Sequence, residues 1–185
     1  MSAMRYLGFA ILALALAACS AEPGGSGGGN AELRRAFGPY LGVWESEDGQ
    51  IRQAFLMVDD GAAVEGCMML AEEDGEGWRV VSDGRYVLDE TADETRVTGR
   101  FTGEGMGFEA IDIVGYPVEG GGFDFTNTAQ TGDGRQITYE TWAAPTGGAF
   151  AYVIERADPA GQTPWLGGRW IFVGGAEADC SGGDG

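Results

Sequence analysis

The stretch TRVTGRFT, residues 95–102, alternates apolar or small side chains with polar ones at every second position. Val97, Gly99 and Phe101 fall on one side of an extended chain, and the arginines and threonines between them fall on the other. A period of two residues is typical of a β-strand with one buried face and one face in water. The stretch therefore predicts a half-buried strand.

The same alternation recurs in GFDFTNT (122–128), RQITYETW (135–142) and AFAYVIER (149–156). The side chains predicted to face inward are Phe123, Phe125 and Asn127 in the first, Ile137 and Tyr139 in the second, and Phe150, Tyr152 and Ile154 in the third. By the same rule, Asp124 and Glu140 are predicted to face outward, away from the phenylalanine row.

Glycine-rich and Asp-Gly turns separate these stretches, among them SDG (82–84), TGDG (131–134) and PTGG (145–148). Many short strands divided by such turns favour an all-β antiparallel meander, either closed as a barrel or folded as a sandwich. We expect about nine or ten strands between Gly42 and Val173. One short helix is predicted before them at residues 31–36, with Asn30 as its N-cap and Gly38-Pro39 as its stop.

The composition excludes several kinds of chemistry. The 185 residues include no histidine, all eleven basic residues are arginine, and the formal net charge is −18. Without histidine there is no serine–histidine triad, histidine-bound haem or histidine zinc site, and without lysine there is no Schiff base. So acidic a chain is also a poor partner for nucleic acid. The acidic turns lack the spacing of a calcium loop, so we expect neither metal nor cofactor.

The N-terminal segment has the features of an export signal. Residues 7–18 are an apolar run of twelve, too short to span a bilayer, and Leu16-Ala17-Ala18-Cys19 ends it. This ending resembles the lipobox of bacterial lipoproteins. The resemblance implies cleavage after residue 18 and a lipid anchor on Cys19, and Ser20 implies an outer-membrane protein on the periplasmic side. The alternative is an ordinary signal peptide with an incidental cysteine.

Four parts of the chain follow from these features. They are a signal peptide (1–18), a lipidated cysteine with a Gly/Ser-rich linker (19–30), a β-barrel domain (31–173) and a glycine-rich tail (174–185). Cys67 and Cys180 remain once Cys19 is acylated, and in an oxidising envelope two thiols favour a disulfide. The alternative is a buried Cys67 and a free Cys180.

The entry to the first strand, YLGVWES (40–46), follows the short helix and contains Gly42-Val43-Trp44. This arrangement resembles the opening of lipocalin-like (calycin) barrels. The resemblance implies that Trp44 packs across a closed barrel end against an arginine from near the last strand. Arg169 is the first candidate for that arginine, and Arg156 is the second.

The predicted inner face could line a cavity for a small apolar or amphiphilic ligand. The cavity candidates are Phe101, Phe123, Phe125, Asn127, Tyr139, Phe150, Tyr152, Arg156 and Trp170. The alternative is a solid barrel that acts as a scaffold or binds another envelope protein. A carboxylate-based cyclase or hydratase is a third reading. No catalytic residue is assigned, because Glu109 and Asp112 fall on opposite faces of their strand.

Overall fold

A computed structural model describes residues 27–73, 77–90, 95–103, 108–132, 134–158, 161–174 and 180. Helix α1 (Gly27–Phe37) is followed by a 3₁₀ turn (Gly38–Tyr40), and a second 3₁₀ turn (Asp59–Gly61) joins β2 to β3. The strands are β1 (Gly42–Ser46), β2 (Ile51–Val58), β3 (Ala63–Ala71), β4 (Trp78–Glu90), β5 (Thr95–Thr102), β6 (Ala110–Pro117), β7 (Gly122–Thr131), β8 (Gly134–Ala143), β9 (Ala149–Asp158) and β10 (Gly161–Gly174).

Each strand pairs with the next in antiparallel fashion, and β1 pairs with β10, so the ten strands form a closed barrel. The prediction of an all-β meander of nine or ten strands with one short N-terminal helix is confirmed, and the barrel rather than the sandwich is the observed form. The helix begins before Asn30, which is therefore not its cap, and it ends one residue later than predicted. Phe37 extends it because that ring is wholly buried in the barrel.

The helix and the turn that follows it fill one end of the barrel, which we call the plugged end. Leu33, Phe37 and Tyr40 are at most 1% exposed, and the Phe37 ring lies 4.8 Å from that of Phe123 and 5.0 Å from that of Tyr86. The Tyr40 hydroxyl donates a 3.0 Å hydrogen bond to the carbonyl oxygen of Ala143. At the opposite end, where β1 ends and β2 begins, the described residues form no helix, and we call it the open end.

Aromatic rings make up much of the interior, and glycines on the inner face leave room for them. The buried rings are those of Phe37, Tyr40, Trp44, Phe55, Tyr86, Phe101, Phe123, Phe125, Trp142, Phe150 and Trp170. Gly115 faces Phe125, and a Cβ atom at residue 115 would overlap that ring. A Cβ at Gly66 would lie 3.2 Å from the Phe101 ring. The absence of side chains at these positions therefore permits close packing of the rings.

A second apolar cluster lies on the outside of the barrel, over β1 to β4. Its members are Val43, Ala54, Cys67 and Met69, with Trp78, Val80 and Cys180 packed against them. A disulfide joins Cys67 of β3 to Cys180, across 113 residues of sequence. The guanidinium of Arg52 lies 4.1 Å from the centre of the Trp78 ring. The bridge thus attaches the end of the chain to the outer surface of the first strands.

Candidate functional site

A cavity of about 110 Å³ lies inside the barrel, on the side of the interior toward the open end. Its wall is mostly apolar, with a few polar groups. The lining residues are Gln53, Phe55, Cys67, Met68, Ser82, Tyr86, Phe101, Phe108, Ile111, Ile113, Asn127, Glu140 and Trp142. Such a combination of an apolar wall and a few convergent polar groups is typical of small-molecule sites.

Glu140 of β8 is the charged group of this cavity. Its Oε1 atom accepts a 2.6 Å hydrogen bond from the indole Nε1 of Trp142, and its Oε2 atom accepts a 3.0 Å bond from Nδ2 of Asn127. Both donors are neutral. The carboxyl group is therefore held in place from two sides while its charge is left without a compensating cation among the lining residues.

Burial raises the pKa of Glu140, and the hydrogen bonds from Trp142 and Asn127 lower it by less. The cause is the cost of placing a charge away from water, which favours the protonated form. The charge of Glu140 also acts on two tyrosines of the barrel. Burial first, and the Glu140 charge second, raise the pKa of Tyr86 and of Tyr152 above the ordinary value of 10.0. Both hydroxyl groups therefore stay neutral at physiological pH.

Two amide oxygens of the cavity have no hydrogen-bond partner within the described protein. They are Oδ1 of Asn127 and Oε1 of Gln53, and both atoms are buried. The orientation of the Asn127 amide follows from its bond to Glu140, because its Nδ2 must face the carboxylate to donate. An unpartnered buried acceptor is unfavourable, so these oxygens are groups that a donor on a ligand would satisfy.

The predicted cavity residues fall into three groups, namely those that line the cavity, those that pack around it, and Tyr139 and Arg156, which do neither. Phe101 and Asn127 line it. Phe123, Phe125, Phe150 and Trp170 are at most 3% exposed and belong to the packed aromatic core. Tyr152 is half-buried, and its ring lies 5.5 Å from that of Trp170.

The predicted faces of β8 are wrong and are corrected by the pairing of β8 with β7. Phe125 lies opposite Glu140, and Phe123 lies opposite Trp142, so Glu140 and Trp142 face the interior. Tyr139, one residue away, is therefore on the outer face and does not line the cavity. The alternation of Ile137 and Tyr139 predicts the opposite assignment, because apolar side chains usually mark the buried face of a strand.

The predicted stacking of an arginine on Trp44 is also wrong. Arg169 is exposed on the outer face, because the adjacent Trp170 faces inward. Trp44 is 2% exposed and packs edge-to-face against Phe150 and Phe172, with ring centres 4.9 and 5.1 Å away. Its indole Nε1 donates a 2.7 Å hydrogen bond to the Tyr40 carbonyl oxygen. Aromatic rings and a backbone acceptor take the place expected for the cation.

Arg156, the second candidate, is exposed near the open end of β9 and is absent from the cavity wall. Its neighbours in the sheet are Thr138 and Thr163. Glu109 and Asp112 are exposed as well, and Asp112 pairs with Arg100 at 2.6 Å. These charged groups belong to the surface rather than to the cavity.

Sequence reasoning missed Gln53, Tyr86, Glu140 and Trp142 as cavity residues. A signal for Gln53 exists in IRQAFLM (51–57), where it alternates with apolar residues of the inner face. A polar residue at an inner position is the feature that could have identified it.

Comparisons with models of protein families, with curated proteins and with solved structures find no match to this chain. Within the described ranges, no cluster of three or more potential metal ligands occurs. No helix in the described part of the chain has the length and apolar character needed to cross a bilayer. The predicted signal peptide and Cys19 lie outside the described residues, as does most of the glycine-rich tail.

Proposed function

We propose that this protein is an envelope lipoprotein whose lipocalin-like barrel binds a small apolar or amphiphilic molecule in the interior cavity. The observation that carries the proposal is the cavity itself, with an apolar wall and the Glu140–Asn127 pair held in fixed orientation inside it. A barrel that served only as a scaffold would have no need of a buried carboxylate, which is costly to keep in the interior.

The size of the cavity limits the ligand. A closed apolar cavity of about 150 Å³ accommodates benzene, so 110 Å³ is suited to a group of about five non-hydrogen atoms. A longer ligand would have to extend through the open end, since the helix and its aromatic contacts occupy the plugged end. We therefore expect a ligand with one small head or chain inside the barrel.

The lipid anchor rests on the sequence Leu16-Ala17-Ala18-Cys19. The Cys67–Cys180 disulfide agrees with an oxidising compartment, where such bonds persist. Membrane attachment at Cys19, on the periplasmic side of the outer membrane, would keep the barrel beside the bilayer while its acidic surface is repelled by anionic lipid.

One observation favours the scaffold as a second candidate. Val153 of β9 is 41% exposed on the outer face, and Trp165 and Leu166 of β10 are 60% and 50% exposed near the register shift between Pro164 and Leu166. Large apolar side chains that remain exposed are a feature of protein-interaction surfaces. The enzymatic reading receives less support, because Glu140 is the single carboxylate among the residues that line the cavity.

Native mass spectrometry tests the proposal on the full chain carrying Cys19→Ser, isolated from the cell envelope without detergent. We expect a bound small molecule on this protein. Ile113→Trp, which adds an indole to the cavity wall, should abolish that added mass, and Val114→Trp, on the outer face of the same strand, should retain it. A bound mass that survives Ile113→Trp would place the ligand elsewhere. A bare chain in every preparation would favour the scaffold.

A further inference from the structure

The cavity contains acceptor atoms with unused hydrogen-bonding capacity, beside the hydroxyl groups of Ser82 and Tyr86, which can donate. Each carboxylate oxygen of Glu140 accepts one hydrogen bond, although each has lone pairs for two. Asn127 Oδ1 and Gln53 Oε1 are buried and accept none. A ligand that supplies hydrogen-bond donors would satisfy these atoms, whereas a ligand with acceptors alone would leave them as they are.

The charged side chain that lines the cavity is acidic. None of the lining residues carries a positive charge. Arginines that form ion pairs do so on the outer surface, for example Arg52 with Glu45 at 2.8 Å and Arg96 with Asp89 at 2.6 Å. Arg100 is paired with Asp112 in the same way. Glu140 thus has no cationic side chain to pair with among the described residues that line the cavity.

We propose that the cavity selects a small organic cation, with a primary ammonium group bound by Glu140, Asn127 and Gln53 and a short hydrocarbon body against the apolar wall. This inference rests on the proposed function and specifies its ligand class. An ammonium group has three donors and no acceptor, which matches the three kinds of acceptor available. The wall offers Phe101, Ile111 and Ile113 to the hydrocarbon part.

Other ligand classes fit less well. A carboxylate or phosphate would meet Glu140 as a like charge in a site with little water, where repulsion is strong. A neutral carbonyl compound can accept a hydrogen bond from the hydroxyl group of Ser82 or Tyr86, but it would leave the two amide oxygens unpaired. An alcohol can donate one hydrogen bond and gains no charge attraction. The cation is the class that satisfies both the acceptors and the charge.

Calorimetric titration of the full Cys19→Ser chain with n-butylammonium, n-butanol and butyrate tests the inference, because the three probes share one chain and differ in the charge of the head. We expect butylammonium to bind at least tenfold more tightly than butanol, and butyrate to bind most weakly. Glu140→Gln should weaken the binding of butylammonium at least tenfold and change the affinity for butanol by less than threefold. The control Asp124→Asn removes the same charge from an exposed position and should change neither.

A second measurement avoids substitution in the cavity. Binding of butylammonium should strengthen as pH rises through the pKa of Glu140, and it should release a proton where Glu140 is partly protonated. The neighbouring Tyr86 and Tyr152 stay neutral in this range, and Glu47 and Asp48, whose charges reach Tyr152, do not line the cavity. The proton release is read from titrations in buffers of different ionisation enthalpy.

The outcomes separate the two proposals. Equal affinity for butylammonium and butanol, with no effect of pH or of Glu140→Gln, would refute the preference for a cation. An apolar binding site would still be supported. Tighter binding of butyrate would also refute that preference. If none of the three probes binds, the proposed function fails together with the inference.

Discussion

The indole Nε1 of Trp142 donates a 2.6 Å hydrogen bond to Oε1 of Glu140, two residues earlier on the same strand. Side chains at positions i and i+2 of a strand share one face, so the bond is made inside the barrel. Trp142 is itself held by ring contacts, with centres 4.7 Å from Phe125 and 5.4 Å from Tyr40. The position of the buried carboxylate is therefore tied to the packing of the aromatic core.

We expect Glu140 to make the free energy of unfolding depend on pH. Burial raises its pKa in the folded protein above the ordinary 4.5, so the unfolded chain loses this proton at lower pH than the folded one. The contribution of Glu140 to the free energy of unfolding is therefore fully present below pH 4.5 and is lost as pH rises through the folded pKa. We expect Glu140→Gln to remove this decline, measured by urea denaturation at a series of pH values.

Asp124→Asn is the control for that experiment, because it removes one negative charge from the outer face of β7. This variant should keep the decline in stability that Glu140 causes, because Glu140 is unchanged in it. If the stability of Glu140→Gln and of Asp124→Asn depends on pH in the same way, burial does not shift the pKa of Glu140.

Trp44→Ala should lower the free energy of unfolding by about 3–5 kcal/mol, as is usual when a buried aromatic ring is removed from a core. The substitution removes edge contacts with Phe150 and Phe172 and the hydrogen bond to the Tyr40 carbonyl. Trp165→Ala is the matched control, since that indole is 60% exposed, and it should change stability by less than about 0.5 kcal/mol. Chemical denaturation compares them, and equal losses would contradict the assignment of Trp44 to the core.

Reduction of the Cys67–Cys180 bridge should lower the melting temperature, because it restores conformational freedom to an unfolded chain that was closed over 113 residues. We expect a loss of about 2–4 kcal/mol. The Cys19→Ser chain is the suitable material, as it contains two cysteines, and a thiol titration under denaturing conditions should find none free before reduction. Two free thiols at that stage would exclude the bridge in the isolated protein.

Gly115→Ala should destabilise the barrel by about 1–3 kcal/mol, the usual effect of overpacking a core. A methyl group at this position would overlap the ring of Phe125. Gly132→Ala is the control, because a Cβ there would meet no atom within 4 Å. Thermal unfolding of the two variants compares them, and a neutral Gly115→Ala would mean that the Phe125 ring has room to move.

Cys19→Ser should abolish labelling by a palmitate analogue, because an alcohol cannot replace the thiol in the acyl-glyceryl transfer that the lipobox resemblance implies. The unlabelled protein should also leave the membrane fraction. Ser20→Ala, which keeps the cysteine, should remain labelled. Incorporation of label into the Cys19→Ser chain would refute the lipid anchor.

The strand pattern was accessible from sequence because one face of most strands is apolar. Val97 and Phe101, or Phe123 and Phe125, mark the interior in their own segments, and turns rich in glycine separate them. Closure into a barrel depends on the pairing of β1 with β10, which no single segment reveals. The resemblance noted at Gly42-Val43-Trp44 predicts a packed Trp44, and this residue is 2% exposed in the first strand.

The polar part of the cavity was not accessible in the same way. The alternation in β8 favours Ile137 and Tyr139 as the inner residues, yet the larger Trp142 has the opposite parity and shares its face with Glu140. The pairing of Phe125 with Glu140 decides between the two readings, and it is a long-range contact. Arg169 is a different case, because alternation with the inward-facing Trp170 places it on the outer face, and only the lipocalin resemblance implies its contact with Trp44.

The disulfide affects local unfolding of the barrel. The β1–β10 ladder is the seam at which the two ends of the sheet meet, and its opening would create two free strand edges able to pair with other copies of the chain. Cys67 belongs to the β1 side of this seam, and Cys180 follows β10. The bridge holds both sides together, so an opened seam recloses within the same molecule. Reduced protein should accordingly form oligomers, detectable by light scattering, at temperatures below its own melting transition.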